Sequence, residues 1–497
     1  MLPLLLCAAL LTSGSRAGDE AALARALDHV QPSSISADLE FLASELMAGR
    51  NTPSPELELA ANYLLSRVQR MGLQPGAAGR WFQEYPLERT RMSTESRLWI
   101  EVGDVRLEHE PLTGYLLFDR SRGTFAREGA CVGIGDGSKP TLAALPEGTL
   151  EGLWAVARQR PEHLQSVRRR LQKSGAVGLL ILSEETREDE KDESSLTATT
   201  RKALDGNVSL ALPAKIGGDD APVAKSRRRK REPFPILGLR PGATARLFAE
   251  FGSPDCAPGV SLELRVHAER VVDTETLHVR NLCALLPGSD PGRAADVILC
   301  SAHYDHVGVR RGEIYPGADD NASGTAGLLA LAEASVARGP LDRSVLFVWL
   351  SGEEKGLWGS KAYCQDPPLG PGLRVVANLN IDMIGRTRAE DLYITPSADH
   401  EAFNPFAGLV YELAPAEGFG PLISQDEFYS ASDHYNFAKL LEVPVVFLST
   451  GDHPDYHKPT DTVDKLDVSK IARVVRLALR VLDATPALEF ARAEATR

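Results

Sequence analysis

The chain of 497 residues lacks long apolar runs after its first residues, and it carries fewer basic than acidic side chains. A membrane-spanning helix needs about 20 mostly apolar residues, so no integral membrane segment is predicted beyond the N-terminus. Lys and Arg number 55 against 68 Asp and Glu, which gives a net charge of −13. The basic run Lys225–Arg231 is brief and belongs to this acidic chain, so a solvated loop is favoured and no nucleic-acid partner is predicted.

Cysteine is scarce as well, with six residues in the whole chain. Residues Leu2–Leu11 form an apolar stretch too short to span a bilayer, and Ser15 and Ala17 place small residues where a signal peptidase cuts. These features predict a signal peptide at residues 1–17 and a secreted or periplasmic protein. Removal of Cys7 with this peptide would leave five cysteines, an odd number that excludes complete intramolecular pairing.

Four motifs with acidic or histidine side chains follow one another between residues 301 and 382, each beside an apolar, strand-like run. They are His303-Tyr-Asp305, Gly317-Ala-Asp-Asp320-Asn, Ser351-Gly-Glu353-Glu354 and Asn380-Ile-Asp382, and a later motif, Tyr456-His457-Lys-Pro-Thr, completes them. Zn²⁺ binds neutral imidazole and carboxylate oxygen in sites that keep a position open for water and substrate. The motifs together predict a two-metal hydrolase site.

Two zinc ions about 3.5 to 4 Å apart can share one hydroxide, lower its pKa towards about 7 and polarise the attacked carbonyl. Two imidazoles and three carboxylates would bind them, from His303, Asp320, Glu354, Asp382 and His457. The ions' charge of +4 meets −3 from these ligands and −1 from the hydroxide, so the pair can be buried. Glu353 is left free as the base, and none of the cysteines is needed as a ligand.

The motifs resemble those of the dizinc exopeptidases, the family that includes bacterial aminopeptidases and glutamate carboxypeptidases. The similarity covers residues 274–485 closely. It extends more loosely to residues 35–75, through Asp38-Leu-Glu-Phe-Leu-Ala-Ser and Met47-Ala-Gly-Arg50. No ligand position of the family is missing, which separates this chain from relatives that kept the fold and lost the metals.

This resemblance implies a role for each residue of the motifs. His303 would bind the first metal, and Asp305 would orient its imidazole. Asp320 would bridge the two ions. Glu354 and Asp382 would be terminal ligands, and His457 would close the ligand set. Glu353 would act as the general acid and base.

Two of these positions have a competing candidate nearby. Asp319, Asp320 and Asn321 precede a helical segment and are residue types that cap helices, and only the motif favours Asp320 over Asp319 as the ligand. His453 competes with His457, which is favoured because it begins the family's His-Lys-Pro-Thr pattern.

Tyr456 and Asp433 are weaker candidates. The phenol of Tyr456 would donate a hydrogen bond to the oxyanion of a tetrahedral intermediate, and packing of the loop is the alternative. Asp433 matches a carboxylate that supports the ligands in the family, and capping of the helix that begins at Tyr435 is the alternative.

Apolar runs alternate with helical patterns around these motifs. The runs that begin at Val297, Val345, Val375 and Val443 are typical of strands buried on both faces, and Cys283 and Cys300 in such runs are predicted to be buried. Helices are predicted at Leu57–Met71 and Thr325–Arg338. The fold class is therefore α/β, a mostly parallel, doubly wound sheet with helices on both faces, which binds ligands beyond the carboxyl ends of its strands.

The length predicts a second structural unit. Residues 115–272 interrupt the resemblance, and Gly175–Leu182 resembles the protease-associated domain that is inserted in this family. The predicted organisation is an N-terminal part of the peptidase domain at 18–114, a β-rich α/β protease-associated-like insert at 115–272, and the zinc peptidase domain at 273–490. An unrelated insert is the alternative.

The predicted function is that of a secreted, zinc-dependent exopeptidase, an aminopeptidase that removes N-terminal residues from peptides. A carboxypeptidase or dipeptidase of the glutamate carboxypeptidase type shares every ligand and would need basic residues for the terminal carboxylate. Arg310, Arg311 and Arg386 do not decide between these activities at the level of sequence. A non-catalytic binding protein on the same scaffold, or a single-zinc acyl-transfer enzyme such as glutaminyl cyclase, completes the alternatives.

Overall fold

The computed structural model describes residues 19–118, 123–183, 190–212 and 233–490, without the side chains of residues 190–195. The predicted signal peptide and the basic run Lys225–Arg231 lie outside the described residues. The chain divides into two compact units, one formed by Met1–Pro86 with His278–Arg497 and the other by Leu87–Leu277. The start of the second unit differs from the predicted residue 115.

The helices and strands are numbered along the chain. The strands are β1 (Gln74–Pro75), β2 (Phe82–Met92), β3 (Arg97–Val102), β4 (Val105–His109), β5 (Tyr115–Leu117), β6 (Phe125–Gly133), β7 (Trp154–Ala157), β8 (Gly178–Leu182), β9 (Asn207–Leu210), β10 (Ile236–Leu239), β11 (Ser261–Arg270), β12 (Val272–Leu286), β13 (Asp296–His303), β14 (Gly308–Arg310), β15 (Glu313–Tyr315), β16 (Ser344–Leu350), β17 (Arg374–Ile381), β18 (Tyr393–Thr395), β19 (Ile423–Ser424) and β20 (Val445–Ser449). The α-helices are α1 (residues 19–29), α2 (Pro32–Leu42), α3 (Pro55–Arg70), α4 (Lys139–Ala143), α5 (Leu164–Lys173), α6 (Glu190–Asp205), α7 (Pro241–Phe251), α8 (Gly324–Arg338), α9 (Trp358–Gln365), α10 (Pro405–Leu413), α11 (His434–Asn436) and α12 (Val468–Ala484).

The first unit is built on a mixed sheet whose strand order is β19-β18-β20-β17-β13-β16-β12-β2. Its four central strands, β20, β17, β13 and β16, are parallel to their neighbours within this group. The flanking strands β18 and β12 run antiparallel to β20 and β16. The α/β class and the parallel centre are confirmed, and the antiparallel flanks make the sheet more mixed than the sequence predicted.

Helices cover both faces of this sheet. Leu346 of β16 packs in one cluster with Tyr363 of α9, whereas the Trp349 indole, three residues along the same strand, donates a hydrogen bond to the Thr325 carbonyl of α8 at 3.1 Å. Residues separated by an odd number along a strand point to opposite faces. All seven residues of β16 are accordingly buried, as expected for a strand covered on both sides.

The two predicted helices of the first unit are present with small shifts of their ends. Ser54 caps α3 by accepting a hydrogen bond from the Leu57 N–H at 3.1 Å, which satisfies one of the free donors of the first turn. Helix α8 ends at Arg338, followed by Gly339 with φ 86°. Glycine adopts this backbone conformation without steric cost, so the predicted stop after residue 338 is confirmed.

The second unit has its own sheet, in the order β4-β3-β11-β6-β7-β8-β10-β5. Strands β6, β7, β8 and β10 are parallel, and the others pair antiparallel. The basic segment around Val167 forms α5, and the apolar run that ends at Leu182 contains β8. The likeness to a protease-associated domain stays a prediction.

Two further sequence predictions concern cysteines and the membrane. Among the described residues, Cys131, Cys256, Cys283, Cys300 and Cys364 are all buried, so the predicted burial of Cys283 and Cys300 is confirmed. None of the helices in the described ranges combines the length and the apolar composition needed to cross a membrane.

Candidate metal centre

The predicted site residues gather at the carboxyl ends of the parallel strands of the first unit. His303 is the last residue of β13, Glu353 follows β16 by three residues, and Asp382 follows β17 directly. Parallel strands end at one edge of a sheet, where open α/β sheets bind their ligands. The topology therefore brings together side chains that lie as many as 79 residues apart in the sequence.

One group of donor atoms comes from His303, Asp320 and Asp382, all buried. His303 Nε2 lies 3.2 Å from Asp382 Oδ1 and 3.4 Å from Asp320 Oδ1. One ligand atom from each of the three residues lies within 4.8 Å of the others. We refer to these three residues as the first cluster.

A second group is formed by His306, Asp320, Glu354 and His457, which we call the second cluster. His457 Nε2 lies 3.0 Å from Asp320 Oδ2 and 3.1 Å from Glu354 Oε1. Burial alone would lower the pKa of His457, but these two carboxylates raise it to about 9. The second cluster therefore favours positive charge at this position.

Asp320 belongs to both clusters, and its two oxygens face different ones. Oδ1 approaches His303 of the first cluster at 3.4 Å, and Oδ2 approaches His457 of the second at 3.0 Å. A carboxylate with one oxygen turned towards each of two ions is the bridging ligand of a two-metal site. This geometry is what the sequence prediction requires of Asp320.

The residues of both clusters fit zinc. Imidazole nitrogen and carboxylate oxygen are its common ligands. Among the described residues, the buried atoms Glu354 Oε1 and His306 Nδ1 have no hydrogen-bond partner, and such unpaired groups are costly unless an ion satisfies them. The five predicted ligands thus lie together, and their role as ligands remains a prediction.

Asp305 holds the site in a different way from the one predicted. The His303 Nδ1 atom lies 3.1 Å from the main-chain carbonyl of Asp305 and 3.7 Å from its carboxylate. This carboxylate instead accepts hydrogen bonds from the Thr52 hydroxyl at 3.0 Å and from the Glu353 N–H at 3.1 Å. The backbone of Asp305 therefore orients the imidazole, and its side chain positions the loop that carries Glu353.

Glu353 is placed beside the first cluster. Its Oε2 atom lies 4.0 Å from His303 Nε2, and its side chain is 13% exposed. Burial raises the pKa of Glu353 well above its ordinary value, His303 opposes the rise, and Asp382 adds to it. Strongly shifted carboxyl groups in a cleft are typical of acid–base catalysts.

The two competing candidates are turned away from the clusters. Asp319 Oδ1 accepts a hydrogen bond from the Gly385 N–H at 2.7 Å, and Asp319 Oδ2 lies 3.3 Å from His453 Nε2. These two residues therefore face each other. The structure places Asp320 and His457, rather than Asp319 and His453, in the donor groups.

Tyr456 lies on the solvent side of the second cluster, with 41% of the residue exposed. Its ring stacks on His457 with centroids 4.0 Å apart and an angle of 20° between the planes. Burial and the nearby carboxylates, first of all Asp320, raise the pKa of its phenol. The hydroxyl therefore stays protonated at neutral pH, as a hydrogen-bond donor must, while the stacking supports the packing role as well.

A chain of buried hydrogen bonds fixes Asp382. Its Oδ2 atom accepts from the Ser432 hydroxyl at 2.7 Å, and Ser432 Oγ accepts from the Asn380 amide at 3.0 Å. The Ser301 hydroxyl donates to Asn380 at 2.7 Å and accepts from Asn378 at 2.9 Å. Residues that orient a ligand in this way commonly affect metal affinity.

We expect Ser432→Ala to weaken zinc binding by about 10- to 100-fold at one site, because Asp382 loses the donor that fixes its orientation. Competition with a chromogenic chelator measures the affinity. Ser335→Ala is the matched control, because the buried Ser335 hydroxyl donates only to Leu331 within α8, at 2.7 Å. Equal zinc affinity of the two variants would contradict the proposed role.

Asp433 is buried, and the Ser360 hydroxyl donates to its carboxylate. Burial raises the pKa of Asp433 to about 7, against the influence of His303. Its side chain makes no capping hydrogen bond to α11, so the capping alternative is not observed. Asp433 lies close enough to His303 and Asp305 for their charges to affect it.

The sequence interpretation missed three residues of the site: His306, Asp461 and Arg50. The Asp461 carboxylate accepts the Asp319 and Asp320 N–H groups at 3.1 Å, which fixes the backbone of the bridging residue. The fully buried Arg50 donates to the carbonyls of Tyr304 at 2.9 Å and Gly317 at 3.0 Å. Arg50 ends a motif that carried the resemblance, and Asp461 directly follows the His457-Lys-Pro-Thr motif. His306 is three residues beyond His303 and belongs to the other cluster.

Residues 281–482 match Peptidase family M28. This segment belongs to the M28 family. All residues of both clusters lie within the M28 segment, so the predicted relationship to zinc exopeptidases is confirmed.

Relatives of the M28 segment include two named aminopeptidases. A probable leucine aminopeptidase of Arthroderma otae is 31% identical over 199 residues, which are 38% of this chain and 54% of the relative. Aminopeptidase YwaD of Bacillus subtilis is 29% identical over 189 residues, 35% of this chain and 38% of the relative. The chain thus spans about half or less of the length of these relatives. A solved aminopeptidase from Aneurinibacillus sp. strain AM-1 aligns with 92% of this chain and 94% of its own, at 21% identity and a TM-score of 0.49.

Proposed function

We propose that this protein is a secreted or periplasmic metallo-exopeptidase that removes N-terminal residues from peptides with two zinc ions. The observation that carries the proposal is the position of Asp320, whose two oxygens face two separate groups of metal-binding side chains. Two-metal hydrolases require such a shared ligand. The M28 relatives of the segment, which include aminopeptidases, support the same class of reaction.

His303 and Asp382 would hold one ion, Glu354 and His457 the other, and Asp320 would bridge them. When bound, the two ions would lower the pKa of a water molecule towards about 7 and polarise the carbonyl of the scissile bond. The chain itself supplies the orientation of these ligands, through the Asp305 carbonyl and the Ser432 hydroxyl.

Glu353 is the proton carrier in the proposed reaction. It would accept a proton from the attacking water and then pass it to the nitrogen of the leaving amine. Its backbone is fixed by the Asp305 carboxylate, and its side chain is mostly withdrawn from solvent. A base that is fixed and shielded from water in this way needs little movement of its side chain before it accepts the proton. The raised pKa of Glu353 suits a group that must both accept and return a proton. Tyr456, still protonated, is the candidate donor to the oxyanion.

The charges of the described residues favour an amine over a carboxylate at the substrate terminus. The three carboxylates of the clusters would be balanced by the ions and the hydroxide, which leaves the Glu353 carboxylate as the excess negative charge near a free α-amine, a cation at neutral pH. Arg386, a candidate for binding a terminal carboxylate, already pairs with Asp455 at 2.8 Å and lies 3.9 Å from Asp461. The guanidinium of Arg310 lies over the Tyr315 ring, 5.6 Å from its centroid. We therefore favour an aminopeptidase over a carboxypeptidase.

The test compares matched peptides with free and blocked amino termini, using the purified protein with zinc added, removed by a chelator and restored. We expect release of the first residue only from peptides with a free amine, with loss of hydrolysis on chelation and recovery with zinc. Cleavage of blocked peptides from the carboxyl end would overturn the assignment of the amine. No turnover with two zinc ions bound would overturn the enzyme assignment and favour a binding protein.

A further inference from the structure

His306 is a third histidine at the metal centre, outside the ligand set that the sequence predicts. Its side chain is fully buried. Neither ring nitrogen has a hydrogen-bond partner among the described residues. A buried imidazole without hydrogen bonds costs free energy, so the position of His306 next to two carboxylates needs a physical reason.

The position of His306 matches that of a metal ligand. Its Nδ1 atom lies 2.8 Å from Glu354 Oε1 and 3.5 Å from Asp320 Oδ2. His457 Nε2 approaches the same two oxygens, at 3.1 Å and 3.0 Å. Tetrahedral zinc with bonds of about 2.0 to 2.1 Å holds its donors about 3.3 to 3.4 Å apart. The four observed separations lie around this value.

A network of hydrogen bonds explains these contacts less well. Glu354 Oε1 also lacks a hydrogen-bond partner in the described structure, although two imidazole nitrogens lie within 3.1 Å of it. The two imidazoles thus lie within contact distance of one carboxylate oxygen, and neither contact has the geometry of a hydrogen bond. Atoms that converge on a shared point in this way are arranged around an ion rather than bonded to each other.

The backbone keeps the His306 ring in this place. Gly317 has φ 60°, and a Cβ at this position would clash with the His306 ring and with the Asp320 carbonyl. The absence of a side chain at Gly317 therefore allows the ring to pack directly against the loop that carries Asp320. The ring is also in edge contact with His457, with centroids 5.6 Å apart at an angle of 68°.

We propose that His306 Nδ1 is a fourth protein ligand of the second cluster, in an inference that rests on the proposed zinc site. The second cluster then offers four protein donors, and the first offers three. Zinc sites with four protein ligands are commonly structural, whereas sites with three keep a position for substrate. The second cluster is accordingly the tighter of the two, and the open position belongs to the first cluster, beside Glu353.

A crystal structure of the zinc-loaded wild-type protein tests the ligand directly, with anomalous scattering at the zinc edge to locate the ions. We expect His306 Nδ1 at about 2.0 to 2.1 Å from the second zinc. A separation above about 3 Å would overturn the inference, and this test does not depend on the folding of any variant.

The variant His306→Gln tests the energetics through chelator competition, which resolves the two zinc affinities without any assay of hydrolysis. We expect one affinity to fall by more than about 100-fold, which exceeds the loss of about 10- to 100-fold typical of a residue that only orients a ligand. The other affinity should change by less than about threefold, as expected for a ligand of one ion alone. A smaller loss at the tighter site would show that His306 positions Glu354 and is not a ligand.

His434→Gln is the matched control. His434 is also fully buried, and neither of its ring nitrogens has a hydrogen-bond partner among the described residues, but it belongs to neither cluster. We expect its substitution to leave both zinc affinities within about threefold of the wild type. If the wild-type protein binds no zinc at either cluster, the proposed function itself fails; if it binds two ions and His306→Gln alters neither affinity, only the role of His306 fails.

Discussion

The variant Glu353→Gln is expected to lose a factor of about 10² to 10⁴ in kcat, the usual contribution of a general acid and base. Glutamine has nearly the same shape as glutamate but cannot accept the proton from water. The Asp305 carboxylate accepts a hydrogen bond from the main-chain N–H of residue 353, and the substitution does not change this hydrogen bond. The loss should therefore appear in kcat rather than in zinc content.

The measurement is steady-state hydrolysis of a peptide with a free amino terminus, together with the zinc content of the same samples. Glu354→Gln is the informative comparison, because its carboxylate lies 3.1 Å from His457 within the second cluster. We expect that variant to lose zinc affinity, whereas Glu353→Gln keeps about two zinc ions per chain. Full activity of Glu353→Gln with both ions bound would refute the role of Glu353 as the proton carrier.

The variant Asp320→Asn is expected to lose both zinc ions and to hydrolyse peptides no faster than the chelated wild type. An amide has one oxygen and no charge, so it cannot bridge two cations. The number of carboxylate ligands would fall from three to two, which leaves the buried ions with uncompensated positive charge. Zinc at about 1,000 times its Kd adds about 4 kcal/mol per site to folding stability, so the thermal stabilisation by zinc should also disappear.

Asp319→Asn is the matched control for this experiment, because it is the neighbouring buried carboxylate with a different set of contacts. Asp319 accepts from the Gly385 N–H and faces His453, outside both clusters. We expect the control to retain about two zinc ions and most of its hydrolysis. Zinc loss from Asp319→Asn with retention by Asp320→Asn would reverse the assignment of the bridge. Zinc content by mass spectrometry and thermal unfolding with and without zinc provide the readouts.

Local sequence patterns accounted for the parts of the fold that repeat along the chain. The apolar runs at Val297 and Val345 became β13 and β16, because strands covered on both faces need continuous apolar side chains. The end of α8 was predictable from Gly339, which has φ 86°, a conformation that glycine adopts without steric cost. The antiparallel flanks β12 and β18 were not predictable, because strand direction depends on how distant segments pair.

The sequence by itself determined which side chains are available for metal chemistry and, through the order of its motifs, the family to which residues 281–482 belong. It identified the five predicted ligands and Glu353, since the residue types and their places after strands are readable along the chain. Only the tertiary structure decided how these groups face one another. It turned Asp319 towards His453 and the two oxygens of Asp320 towards separate clusters, and it brought His306 within 2.8 Å of Glu354. The physical reason is that side-chain direction at the end of a strand depends on packing and hydrogen bonds from remote segments, such as those of Asp461 and Arg50, which no local pattern encodes.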